Sequence, residues 1–111
     1  MKIEKIRGLV GLGHRARNVI VGSRDTRQGL RRGEVRLVLL AADGSARDRE
    51  RLFRVSAEEN VPAFDLATSA ELGSWVGRET VAVLGIRDAN LASALRAHLA
   101  EGPGPERKPG G

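Results

Sequence analysis

The sequence predicts an α/β protein, a three-layer α/β/α sandwich around a four-stranded sheet. Three observations lead there. Short aliphatic or β-branched runs alternate along the chain with longer stretches whose apolar residues recur every three or four positions. The strand candidates are apolar nearly throughout, as in strands covered on both faces. The chain has 111 residues, room for one domain. Order alone does not fix strand direction, and a parallel, flavodoxin-like sheet fits it as well.

Ile3, Ile6, Val10 and Gly13 recur at helical spacing, with Leu9, Leu12 and Ala16 beside them, and predict a first helix over 3–16. The β-branched run at 18–22 reads as a strand. Ser23 as N-cap and Gly33 as C-terminal stop bracket a second helix. Residues 36–41 form the next strand, and Asp43-Gly44-Ser45 a turn. Ser45 with Asp48 caps a third helix running to about residue 60. A third strand covers 61–66; its Pro62 lacks an amide donor and suits a strand start or an edge. Thr68 and Glu71 have the spacing of a capping box and open a helix that ends at Gly77. A fourth strand covers 80–86, and Leu91, Ala94, Leu95, His98 and Leu99 mark one face of a last helix. Residues 1–101 are expected to form the domain. The Gly/Pro-rich stretch 102–111 has no apolar residue to bury and is expected to be a disordered tail.

The formal net charge is +5, and it is unevenly placed. Residues 1–36 hold ten Lys/Arg against Glu4, Asp25 and Glu34, a net +7, and the remainder is net −2. A positive face from the N-terminal third suits a polyanion partner. The absence of cysteine removes disulfides, thiolate metal sites and cysteine nucleophiles. No apolar run approaches the roughly 20 residues of a membrane span, and the N-terminus does not read as a secretory signal. The expected location is the cytoplasm.

The second helix carries the most information. Thr26, Gly29, Leu30 and Gly33 share a small, packable face, while Arg24, Arg27, Gln28 and Arg31 share the opposite one and Arg32 flanks it. The helix follows a strand directly through Val21-Gly22-Ser23, where unpaired amides and the helix dipole attract phosphate. Guanidinium groups add bidentate bonds to phosphate or to guanine edges. The same residues also fit an ordinary solvated face. Arg47, Arg49 and Arg51, interleaved with acids, offer a comparison set away from this face. Gly11-Leu12-Gly13 follows no strand, so it is not a dinucleotide loop, and Gly8, Gly11 and Gly13 read as helix-packing positions. His14 and His98 lack a second metal ligand at a diagnostic spacing. Serines and aspartates are scattered without a nucleophile constellation. Glu58 and Glu59 read as a solvated helix end, and Trp75 as core. No catalytic residue, metal or cofactor is expected.

The stretch from Gly22 to Gly33, then Val35 to Asp43, resembles the centre of the L-seven-Ae / L-thirty-e / S-twelve-e ribosomal-protein superfamily, the kink-turn RNA-binding family. Asn60-Val61-Pro62, Ala70-Glu71-Leu72-Gly73, Gly77 and Val81-Ala82-Val83 match in order and spacing, so the likeness covers nearly all but the tail. Within the family it is most like bacterial YlxQ-type members. The resemblance implies a mixed sheet, ribosomal L-thirty-e-like, and RNA binding in a ribosomal or translation setting. In the family, an Asn-Glu pair at the start of the second helix reads guanines of sheared G·A pairs, and a Lys one turn later supports them. The matching positions here are Arg24, Asp25 and Gln28. The family's second contact, an apolar loop before the last strand, corresponds to the polar Arg78-Glu79-Thr80.

The expected function is therefore non-enzymatic binding of structured RNA through Gly22, Ser23, Arg24, Asp25, Arg27, Gln28 and Arg31, with Arg78, Glu79 and Thr80 at the rim. Expected partners are RNA, ribosomal or otherwise structured, and in second place other translation proteins; no membrane partner is expected. The alternatives are a protein-interaction module on the same fold and, weakest, a small nucleotide-using enzyme.

Overall fold

The computed structural model describes residues 2–99; the expected tail at 102–111 lies outside them. The elements follow in the predicted order: α1 (Ile3–Arg15), β1 (Val19–Val21), α2 (Ser23–Arg31), β2 (Leu37–Leu40), α3 (Ala46–Glu58), β3 (Ala63–Asp65), α4 (Ser69–Trp75), β4 (Val83–Ile86) and α5 (Ala89–Leu99). Their spatial order in the sheet is β1-β4-β2-β3. β4 lies antiparallel to both β1 and β2, whereas β2 and β3 are parallel. The sheet is thus mixed, as the family resemblance implies, and the all-parallel arrangement is excluded. Pro62 stands just before β3, an edge strand, where its missing donor breaks no ladder.

Strand alternation divides the core in two. Leu37 and Leu39 face one layer with Ile6 and Val10 of α1, Leu72 and Trp75 of α4, and Leu95 of α5. Val38 and Leu40 face the other, with Leu30 of α2 and Leu52 and Val55 of α3. Trp75 is buried, as expected of a core residue. Every residue of β2 and β4 is buried, which explains their unbroken apolar run.

Local chemistry sets the helix ends. Ser45 Oγ accepts from Asp48 N at 3.1 Å and starts α3. Thr68 and Glu71 form the predicted capping box of α4. α2 stops at Gly33 (φ 72°): Gly33 N donates to Leu30 O, and Glu34 N donates to Gly29 O at 2.8 Å, a Schellman closure. Asn60 (φ 58°) closes α3 in the same way through Val61 N to Ser56 O.

Two local expectations change. Gly22, not Ser23, is the N-cap of α2; Ser23 already lies in the first turn. Of the α1 glycines only Gly13 is packed closely: a Cβ there would meet Leu91, whereas at Gly8 it would meet nothing within 4 Å.

Candidate nucleic-acid interface

Because β1, β2 and β3 all run the same way, the helices that follow them start on one rim of the sheet, where β4 also begins. Hydrogen bonds tie the rim together. Gly22 N donates to Val83 O and Ala41 N to Ala82 O, both at 2.9 Å. Ala42 N donates to Ala67 O, and Ser69 N donates to Asp43 Oδ1 at 2.7 Å. The rim carries the starts of α2, α3 and α4.

Those three helix starts differ. Ser45 caps α3, and Thr68 with Glu71 caps α4, but no side chain caps α2. Its N-cap Gly22 has φ 107° and ψ 154°, a region almost restricted to glycine. A Cβ at Gly22 would meet nothing within 4 Å, so the approach to the first amides of α2 is open. Ser23 Oγ is buried there with no partner among the described residues. Uncapped amides, the positive end of the helix dipole and an unsatisfied hydroxyl together make an acceptor-seeking site.

The predicted residues fall in two places around it. Arg24, Asp25 and Gln28 are exposed, and Arg27 is half-buried, with its Nε buried and unpartnered among the described residues. Arg78, Glu79 and Thr80 are exposed on the α4–β4 loop of the same rim. That loop is fixed rather than draped. Arg78 N donates to Gly73 O at 2.8 Å, Val81 N donates to Ser69 O at 2.9 Å, and Gly77 (φ 74°) makes the turn. Gly73 allows the close approach: a Cβ there would stand 2.7 Å from Arg78 O.

Arg31 is differently engaged. It lies at the far end of α2, where Nη2 donates to Glu58 Oε1 at 2.7 Å and Nη1 donates to Glu59 Oε2 at 2.9 Å. Those bonds, Glu58 first, hold its charged form above the usual arginine range. Glu58 and Glu59, read from sequence as a solvated helix end, are its partners.

Sequence reasoning missed the contribution of α3. Arg24, Arg27, Gln28, Arg31 and Arg32 line one side of an open groove of about 650 Å³, and Arg51 and Arg54 line the other with Val55. Among the described residues Arg51 and Arg54 have no carboxylate partner. The comparison set Arg47, Arg49 and Arg51 is therefore not neutral ground. Arg51 belongs to the groove, and Arg49 is held by Asp65 through Nε–Oδ1 at 3.2 Å and Nη2–Oδ2 at 2.5 Å. Arg51 and Arg54 recur at i and i+3 along the border of the buried stripe that holds Leu52 and Val55.

Among the described residues, no group of three or more His, Cys, Asp and Glu is placed to hold a metal.

Comparison with known proteins agrees with this architecture. The chain is 30% identical over 99 residues to the RNA-binding protein YlxQ of Enterococcus faecium, covering 89% of this chain and 94% of that one. It is 30% identical over 87 residues to the RNA-binding protein YlxQ of Bacillus subtilis, covering 78% of this chain and 87% of that one. A solved protein of unknown function from Bacillus halodurans superposes with a TM-score of 0.85 at 27% identity, over 87% of this chain and 98% of that one. The 15.5kD RNA binding protein of Giardia lamblia shares the fold, with a TM-score of 0.75 at 20% identity over 87% of this chain and 82% of that one. The family model for ribosomal protein L7Ae/L30e/S12e/Gadd45 matches residues 4–96. With that match spanning nearly every described element, the chain belongs to the ribosomal protein L7Ae/L30e/S12e/Gadd45 family.

Proposed function

We propose that this protein is a non-enzymatic RNA-binding protein of the cytoplasm, acting in a ribosomal or translation setting. It holds structured RNA at the N-terminus of α2. The observation that carries the reading is the contrast along one rim: α3 and α4 are capped, while α2 opens on Gly22 with uncapped amides flanked by Arg24 and Arg27. RNA phosphate and base acceptors match those donors. The RNA-binding names of the YlxQ relatives support the same class of partner. Arg24 can bond a guanine edge bidentately, and Asp25 accepts from base amino groups. The loop at 78–80 supplies a second, polar contact on the same rim, in place of the apolar one of the family. A kink-turn with sheared G·A pairs is the first RNA to try.

The test is fluorescence anisotropy with a labelled kink-turn RNA and a fully paired duplex of equal length, across a salt series. Arg24→Ala with Arg27→Ala should leave the fold intact, since the buried face of α2 is Thr26, Gly29 and Leu30. The variant should bind the kink-turn more weakly, with a salt slope reduced by about 0.7–0.9 for each phosphate that is no longer held. Failure of the wild-type chain to bind either RNA, or ribosomal RNA, would remove the proposal. Crosslinking in cells, followed by sequencing of the bound RNA, identifies the natural partner.

A further inference from the structure

Resting on the RNA reading above, we infer that the groove between α2 and α3 is a second RNA-contact surface. It grips the phosphate backbone of the helical arm that flanks the RNA element held at the α2 N-terminus. Arg51 and Arg54 of α3 are its outer wall. The two helices follow parallel strands and run side by side in the same direction. Arg31 reaches Glu58 and Glu59 at their C-terminal ends. Seven residues back on each helix are Arg24 and Arg51, and both line the groove. Arg24 therefore belongs both to the helix start and to the groove, which makes the two surfaces continuous.

The chemistry of the lining selects the occupant. Val55 is the one apolar side chain in it, and the rest are guanidiniums and one amide. A docked peptide helix needs a desolvated apolar anchor, which this lining does not offer. A duplex arm needs only spaced cations, because its sequence is hidden and its shape and phosphates are what a protein meets. From Arg24 to Arg31 the groove runs about 10 Å at the helical rise. A groove of that length meets a short stretch of backbone, a few phosphates of one strand. Guanidiniums on both walls can bond phosphate oxygens bidentately.

The groove also has a closed end. Glu58 and Glu59 set two carboxylates against the single charge of Arg31. Phosphate is attracted most between Arg24 and Arg51 and least at the Arg31 end, where the two carboxylates offset Arg31 and its neighbour Arg32. The pair of acids thus limits how far the arm tracks along the helices.

The experiment compares two kink-turn RNAs, one with short arms and one with arms a full helical turn longer, by anisotropy across a salt series. Wild-type protein should bind the long-armed RNA more tightly and with the steeper salt slope. Arg51→Ala with Arg54→Ala should bind the short-armed RNA as wild type does and lose the gain from the longer arms. Its slope on the long-armed probe should fall by about 1.4–1.8 units for two phosphates released. Glu58→Gln with Glu59→Gln should act in the opposite direction, steepening that slope by about 0.7–0.9 as Arg31 is released. Retention of the full long-arm gain by the Arg51/Arg54 variant would overturn the groove while leaving the α2 site standing. Competition by polyglutamate as effective as that by long-armed RNA of equal charge would point to an acidic protein instead. Loss of binding by wild type to both RNAs would overturn the RNA reading and the groove together. Circular dichroism melts of each variant establish that it is folded.

Discussion

Replacing Gly73 with alanine tests whether the α4–β4 loop is both rigid and part of the RNA site. The new Cβ would stand 2.7 Å from Arg78 O and 2.8 Å from the carbonyl carbon and oxygen of Glu79. All three atoms are backbone, so no side-chain rotation relieves the clash. Ordinary contact begins near 3.4 Å, so the loop must retreat by roughly 0.7 Å. That movement stretches the 2.8 Å bond from Arg78 N to Gly73 O and pulls on Val81 N to Ser69 O. Overpacking of this kind costs about 1–3 kcal/mol, and the better helix propensity of alanine returns up to about 1 kcal/mol. Because all three contacts are with backbone, the clash falls in the upper part of that range, and the net loss should be about 1–2 kcal/mol, read as a lower urea midpoint at unchanged slope. Gly8→Ala is the control, since its Cβ meets nothing within 4 Å; it should hold or raise stability. At temperatures where Gly73→Ala is fully folded, its RNA affinity should fall about two- to tenfold, the worth of one displaced hydrogen bond. An unchanged midpoint would refute the packing argument. A lowered midpoint with unchanged RNA affinity would remove the 78–80 loop from the site.

Two further outcomes follow from atoms on α2. Gly22→Ala should lose about 1–3 kcal/mol, because φ 107° with ψ 154° is strained for any residue with a Cβ; a chemical melt matching wild type would show that the junction relaxes. Thr26 is fully buried, and its Oγ1 has no partner among the described residues, so Thr26→Val should stabilise by about 1 kcal/mol. A destabilised variant would mean that the hydroxyl is bonded in solution.

What the sequence made legible was local chemistry and what it hid was direction. The Ser45–Asp48 cap, the Thr68–Glu71 box and the Gly33 stop are satisfied within a few residues, so spacing alone reveals them. Every strand was legible as an apolar run, but Leu37 to Leu40 is buried on both faces and carries no mark of which neighbour it meets or in which sense. Only the family resemblance implied the mixed sheet. The α2 half of the candidate site was visible because its arginines share one helix face. Arg51 and Arg54 were not, because alternating charge along α3 reads as solvent-facing from inside the segment. Only the packing of α3 beside α2 turns those two cations towards Arg24. The engagement of Arg31 by Glu58 and Glu59 spans about 27 positions of chain and has no local signature.

The openness of the α2 start and the turn that produces it have one cause. β1 ends at Val21 and the chain must reverse within a single residue to lay α2 back on the sheet. Gly22 makes that reversal at φ 107° while its amide stays in the sheet, donating to Val83 O. A capping Ser, Thr or Asp at this position would have to adopt a conformation nearly closed to residues with a Cβ. The residue that permits the turn therefore also denies α2 a capping side chain. Ser23 cannot substitute, since it is already helical and its Oγ is left buried and unpaired. The neighbouring starts of α3 and α4 follow longer connections with room for Ser45 and Thr68 in extended conformation, and both are capped. Amide donors thus remain uncapped at one point of the rim, the point bordered by Arg24 and Arg27. A ligand with several acceptor oxygens satisfies there what the chain itself cannot.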